Sequence, residues 1–139
     1  MVAAPELREV YMVKDLVGIT FINGGRDIKI GVDCWGLVME VCKRYGIDVP
    51  DFTIDSFAFE KINILAGKEV RSRKWERVHQ VDNTTAPLVV LMRMHPIHIT
   101  HAGVYIGNNK IIHTMKGTGV IISRADALKT RIVGYYRPC

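Results

Sequence analysis

The hydrophobic period of this chain changes once, near Pro87, and that change limits the folds open to it more than any other feature. Before it, apolar positions recur at helical spacing. Leu7, Val10, Tyr11, Val13 and Leu16 form one stripe between about Pro5 and Val17, closed by Gly18; Leu37, Val38, Val41, Cys42 and Tyr45 form another, closed by Gly46. A glycine-bearing loop through Asn23, Gly24, Gly25, Arg26 and Gly31 separates the two. After Pro87 the chain turns to β-branched and apolar runs, Leu88 to Met94, Ala102 to Ile106, Lys110 to Met115, Val120 to Ser123 and Ile132 to Arg137. Helices first and an antiparallel meander of strands afterwards predict an α+β fold, with the helix that begins near Cys34 packed on one sheet face. Between Pro50 and His79 the pattern is weaker. A helix is predicted from about Asp55 to Ala66, followed by a basic stretch containing Lys68, Arg71, Arg73, Lys74 and Arg77.

A chain of 139 residues, 48% of them hydrophobic, can bury one core and not two, so a single domain over residues 1–139 is expected. The net charge of +5 suits an anionic partner without naming one. For the basic stretch 68–77 a solvated face is the ordinary reading and contact with an anionic polymer the sharper one. No nucleic-acid module signature accompanies it, so nucleic acid is not an expected partner. The first ten residues carry Pro5, Glu6, Arg8 and Glu9 where a secretory signal needs an unbroken apolar stretch. No run reaches the ~20 apolar residues of a membrane span. The expectation is therefore synthesis in the cytoplasm without an export signal or a transmembrane segment.

Cys34, Cys42 and Cys139 are an odd set without metal-ligand spacing, which speaks against a disulfide framework and directs attention to a reactive thiol. Cys34 falls at a helix N-terminus, where the helix dipole and unpaired N–H groups favour thiolate. Asp33 is placed to cap that helix, and Gly36 to keep its first turn open to a substrate. The competing reading makes Cys34 a small buried hydrophobe. A cysteine nucleophile needs a base and a group that orients the base, and His101 and His113 can supply both. A three-residue hairpin loop at Gly107-Asn108-Asn109, with Asn109 left-handed, sets His113 opposite Gly103 and diagonal to His101, at roughly 7 Å or less between β-carbons. A two-residue loop at Asn108-Asn109 puts the rings on opposite faces.

Asp33-Cys34-Trp35-Gly36-Leu37-Val38, preceded by Phe21-Ile22-Asn23-Gly24-Gly25 and followed by His101-Ala102-Gly103-Val104-Tyr105-Ile106-Gly107-Asn108 and Ile112-His113, resembles the NlpC-type family of cell-wall cysteine endopeptidases. The likeness runs from Gly18 to Thr114 with order and spacing kept. Trp35, the Gly-Gly-Arg loop and Val49-Pro50-Asp51-Phe52 further resemble the phage tail and prophage branch, in which a virion rather than a signal peptide delivers the enzyme to the wall. The resemblance implies a papain-like fold and hydrolysis of peptidoglycan stem peptides after the D-glutamyl residue. It also implies roles: Cys34 as nucleophile, His101 as base and then acid, His113 as the residue orienting His101, and the Cys34 amide in an oxyanion hole. Asp33 matches a position that recognises a free amine of the stem peptide, alongside its capping role. Phe21 stands where the family usually has tyrosine and Trp35 where it often has serine; with Asp33 and Gly36 these are the candidate substrate contacts. No cofactor is implied, and other phage tail proteins are the implied partners.

Three other readings stand beside this one. His95, His98 and His101 are three apart, but on a strand such positions alternate faces, and no cysteine or carboxylate completes a metal set. His79, His95 and His98 are read as having no chemical role. A tail-tip or assembly protein that keeps the fold without the activity is a competitor, as is a thiol amidase or acyltransferase on another acyl substrate.

Overall fold

A computed structural model of the protein describes residues 10–139. The first predicted helix therefore lies partly outside the described residues. What is described is a helical turn over residues 10–13 running into a 3-10 turn at Lys14–Leu16, with Gly18 at φ 92° beyond it. The glycine loop contains a small hairpin, β1 (Arg26–Asp27) with β2 (Gly31–Val32), too short to show any period in the sequence.

Helix α1 spans Cys34–Arg44. Asp33 is extended and its carboxylate accepts the Gly36 N–H at 2.7 Å, which satisfies one orphan donor of the first turn. Leu37, Val38, Val41 and Cys42 are buried, Lys43 and Arg44 face the negative end of the dipole, and Gly46 terminates the helix at φ 76°. Helix α2 spans Phe59–Val70, four residues later than predicted. Asp55 explains the delay: its carboxylate accepts the Phe57 N–H (2.9 Å) and its carbonyl the Ala58 N–H (3.0 Å), making a turn where the helix was expected to start.

Six antiparallel strands follow: β3 (Trp75–Val78), β4 (Leu88–Met92), β5 (His101–Gly107), β6 (Lys110–Met115), β7 (Gly119–Arg124) and β8 (Ile132–Pro138). Their order is β3-β8-β4-β5-β6-β7. The predicted meander holds only for β4 to β7. β8 returns to pair with β4 and brings β3, drawn from the basic stretch, onto its far side. Both sheet faces are covered, which is why the strands read as continuous apolar runs rather than alternations. Val89, Ala102, Val104, Ile106, Ile112 and Val120 pack with Leu37, Val38 and Val41 of α1. Leu88, Val90, Tyr105 and Ile111 face the opposite side, under Leu128, Ile132 and Tyr135. α1 lies across β5 and β6. Among the described residues no helix is long and apolar enough to cross a membrane.

Candidate active site

The capping geometry that starts α1 sets Cys34 as its first residue, and the packing of α1 on β5 brings that residue to the beginning of the strand that His101 opens. Cys34, His101 and Ala102 line one cleft. His101 Nε2 and His113 Nδ1 are 2.9 Å apart, with the rings edge to face at 5.1 Å between centroids. His113 Nε2 in turn lies 2.8 Å from Ser123 Oγ. These three side chains form a hydrogen-bonded row from β5 across β6 to β7.

The turn that permits this is not the three-residue loop expected from the sequence. Gly107 pairs with Lys110, leaving the two-residue loop Asn108-Asn109, with both residues at positive φ (53° and 61°) as a type I′ turn requires. Such a loop by itself puts the two histidines on opposite faces. The register, however, shifts between Tyr105 and Gly107: Ile106 is an extra residue in β5, and beyond it Tyr105 faces Ile111 and Val104 faces Ile112. That bulge restores the pairing frame in which His113 comes opposite Gly103. Gly103 is needed there, because a β-carbon on it would stand 2.8 Å from the Ile112 carbonyl oxygen and 3.0 Å from His113 Cβ.

The protonation of the pair also differs from expectation. Burial and the Asp33 carboxylate push the Cys34 thiol up to about 11; the N–H groups of Ala102 and Trp35 and the Arg26 charge pull the other way without prevailing. Burial, assisted by His113, pushes His101 down to about 3, and burial lowers His113 as well. The resting site is therefore a neutral thiol beside neutral imidazoles, because taking either charge out of water costs more than the helix terminus returns.

Asp33 is fully engaged. Its Oδ1 accepts from Gly36 N and, at 2.6 Å, from Arg26 Nη1, while Oδ2 accepts from Gly24 N at 3.2 Å. Arg26 continues to Asp51 Oδ1 (3.0 Å) and the Phe52 carbonyl (2.9 Å), so one guanidinium joins the glycine loop, the helix cap and the Pro50 segment.

The NlpC/P60 family profile matches residues 18–136 of this sequence. The chain belongs to that family. Its fold is the papain-like α+β fold of NlpC/P60 domains. NlpC1 from Trichomonas vaginalis is similar with a TM-score of 0.61 at 18% identity, over 99% of this chain and 47% of that one. The NlpC/p60 domain of the peptidoglycan hydrolase SagA is similar with a TM-score of 0.60 at 18% identity, over 96% of this chain and 99% of that one. An NLP/P60 lipoprotein-like protein from Staphylococcus aureus follows with 0.58 at 14% identity, over 96% of this chain and 41% of that one. The chain thus spans less than half of the Trichomonas vaginalis and Staphylococcus aureus chains. No curated protein matches the sequence.

In this NlpC/P60 chain the predicted substrate contacts separate. Trp35 and Asp33 line the cleft, but Phe21 does not; it packs on Phe57 at 6.2 Å between ring centroids. Gly36 is buried and faces the Gly25 carbonyl rather than an open turn, so its lack of a side chain serves loop packing and not substrate entry. His95 and His98 stack on each other at 4.8 Å, with Phe59 5.4 Å from His95. Trp35 donates Nε1–H to the Pro50 carbonyl (2.7 Å) and meets Phe52 and Trp75 ring to ring. Ser123, Arg26 as partner of Asp33, and the cleft wall of Phe52 and Trp75 are the site features that sequence reasoning missed. Each depends on contacts between distant segments, and only the Gly-Gly-Arg loop and the Val49 to Phe52 segment carried a signal, as marks of resemblance.

Proposed function

We propose that this NlpC/P60 chain is a cysteine endopeptidase that hydrolyses the amide bond between D-glutamyl and diamino-acid residues of peptidoglycan stem peptides. The observation that carries the reading is the 2.9 Å hydrogen bond between His101 Nε2 and His113 Nδ1 in a cleft that Cys34 also lines. With Nε2 committed to His113, Nδ1 is the nitrogen of His101 left to take the thiol proton. As that proton moves, Cys34 Sγ attacks the carbonyl carbon, and the oxyanion is stabilised by N–H groups at the start of α1, among them that of Cys34. Collapse expels the amine, which leaves with the proton from His101. Water, deprotonated by the same ring, then attacks the thioester, releasing the acid and restoring the thiol. A neutral resting pair fits this sequence, since the proton shift is coupled to attack.

Delivery by a phage tail belongs to the same proposal, and the support for it is the resemblance of Trp35, the Gly-Gly-Arg loop and Val49-Pro50-Asp51-Phe52 to the phage tail and prophage branch. The test is mass spectrometry of defined muropeptides after incubation with the protein. The expected result is cleavage after D-glutamate by the wild type and none by Cys34→Ala. No product from the wild type removes the peptidase reading, and equal product from both removes Cys34 as nucleophile.

A further inference from the structure

The basic stretch 68–77 has no use in the proposed reaction. Over its ten residues five cations, Lys68, Arg71, Arg73, Lys74 and Arg77, stand against two carboxylates. All five are exposed, and none forms an ion pair among the described residues. The carboxylates are drawn elsewhere: Glu69 Oε2 accepts the Trp75 Nε1–H at 3.1 Å, and Glu76 pairs with Arg137 Nε at 3.0 Å. Arg77 donates to the Val133 carbonyl at 3.1 Å, which leaves its charge unneutralised. The backbone that carries the cations is held in place. α2 ends at Val70, the Ser72 hydroxyl donates to the Glu69 carbonyl (2.6 Å) and accepts the Lys74 N–H (3.3 Å), and β3 begins at Trp75. The helix dipole accounts for Lys68 and Arg71, and protection of an edge strand for Arg77. Neither accounts for Arg73, whose backbone is left-handed at φ 64°, where glycine or asparagine sits at less cost. Five exposed like charges so close together repel one another, and an anion laid across them relieves that repulsion.

We infer that the turn between α2 and β3, with the adjoining edge of β3, binds a phosphodiester polyanion of the cell wall and holds the protein beside the polymer. The choice of a wall polymer rests on the peptidase reading above. Val70 and Trp75, on either side of the turn, line the cleft that Cys34 also lines, so a polymer on the cations passes beside the active site. Three of the five cations are arginines, whose planar fork takes two phosphate oxygens at once. Nucleic acid fits less well, because bases need a ring to stack on. Trp75, the one aromatic residue of the stretch, is turned into the cleft and meets Trp35 edge-on at 6.3 Å between centroids.

The test is co-sedimentation with purified Gram-positive walls, before and after hydrofluoric acid has stripped their phosphodiester polymer, using Cys34→Ala so that the walls stay intact. Stripping is expected to lower the apparent affinity about tenfold or more, and so is raising the salt from about 50 to about 200 mM. Changing Arg71, Arg73 and Lys74 together to Gln is expected to do the same. Changing Lys14, Lys29 and Lys43 to Gln, an equal loss of exposed charge outside the stretch, is expected to cost less than about threefold. Equal binding to stripped walls overturns the inference, as does an equal loss in the two triple variants, which makes the attraction one of net charge. Poly(glycerol phosphate) and single-stranded DNA are then compared as competitors at equal phosphate. Similar displacement by the two supports recognition by charge alone; displacement by the DNA at roughly tenfold lower phosphate means that bases are read, and overturns the wall polymer as occupant. Muropeptide cleavage by the wild type, read in parallel, separates the two proposals. Cleavage without wall binding overturns this surface alone; wall binding without cleavage overturns the peptidase reading alone.

Discussion

Cys34 and His101 are each held neutral by burial, and that has a kinetic consequence at the level of single residues. With the thiol at about 11, its thiolate fraction falls tenfold for each unit that the pH lies below that value, so iodoacetamide labelling of Cys34 should rise log-linearly with pH between about pH 7 and 10. A plateau reaching down to pH 5 would instead report a thiolate–imidazolium pair formed at rest. Cys42, on the apolar stripe of α1 and pushed by burial up to about 12, should label only on unfolding. Ser123 acts one step further out. Its hydroxyl lies against His113 Nε2 and so fixes which nitrogen of His113 meets His101. Ser123→Ala should lower kcat on muropeptides about three- to tenfold, the worth of one such hydrogen bond, with KM little changed. Ser123→Thr should recover most of the loss, and a Thr variant no better than Ala would leave Ser123 with a packing role only. The sequence could not single out this serine. It is one polar residue in a strand, and only the pairing of His113 with Ile121 puts it diagonal to the ring.

At the scale of elements, α1 was legible because its signals are local: Asp33 before it, the apolar stripe along it, Gly46 after it. What anchors its N-terminus was not. Arg26 spans from Asp33 to Asp51 and the Phe52 carbonyl across segments up to 26 residues apart. The Asp33 side chain is 4% exposed and that of Arg26 25%, so removing the guanidinium strands a buried carboxylate, though solvent softens the loss. Arg26→Ala is expected to cost about 2 kcal/mol or more in chemical denaturation. Adding Asp33→Asn should return part of that, since it removes the orphaned charge while keeping a cap. Additive losses in the double variant would contradict the clasp. The hairpin at Asn108-Asn109 shows the same limit from another side. A two-residue turn and a bulge at Ile106 produce the frame that a three-residue turn would have produced, and bulges leave little trace in residue type.

For the molecule as a whole, the buried histidines couple stability to pH. Unfolded, His101 titrates near 6.5; folded, it takes up a proton only near 3. Between those values the unfolded chain binds a proton that the native state refuses, so stability is lost as pH falls, by about 1.4 kcal/mol per unit. His113, lowered in the same direction, adds to it. The melting temperature should therefore drop between pH 6.5 and about 4.5, and His101→Gln should flatten that slope; an unchanged slope in the variant would mean that the ring is protonated in the native protein. By itself the sequence determined the α+β class, the helix that begins at Cys34 and five of the six strands of the main sheet, and it singled out Cys34, His101 and His113 as candidates, because periodicity, caps and turn residues act over a few neighbours. The tertiary structure alone decided the return of β8 between β3 and β4, the bulge, the Ser123 contact, the cleft wall of Phe52 and Trp75 and the neutral state of the thiol. These are set by which distant segments exclude water from one another, and the cost of burying a charge or an apolar face has no value until that enclosure exists.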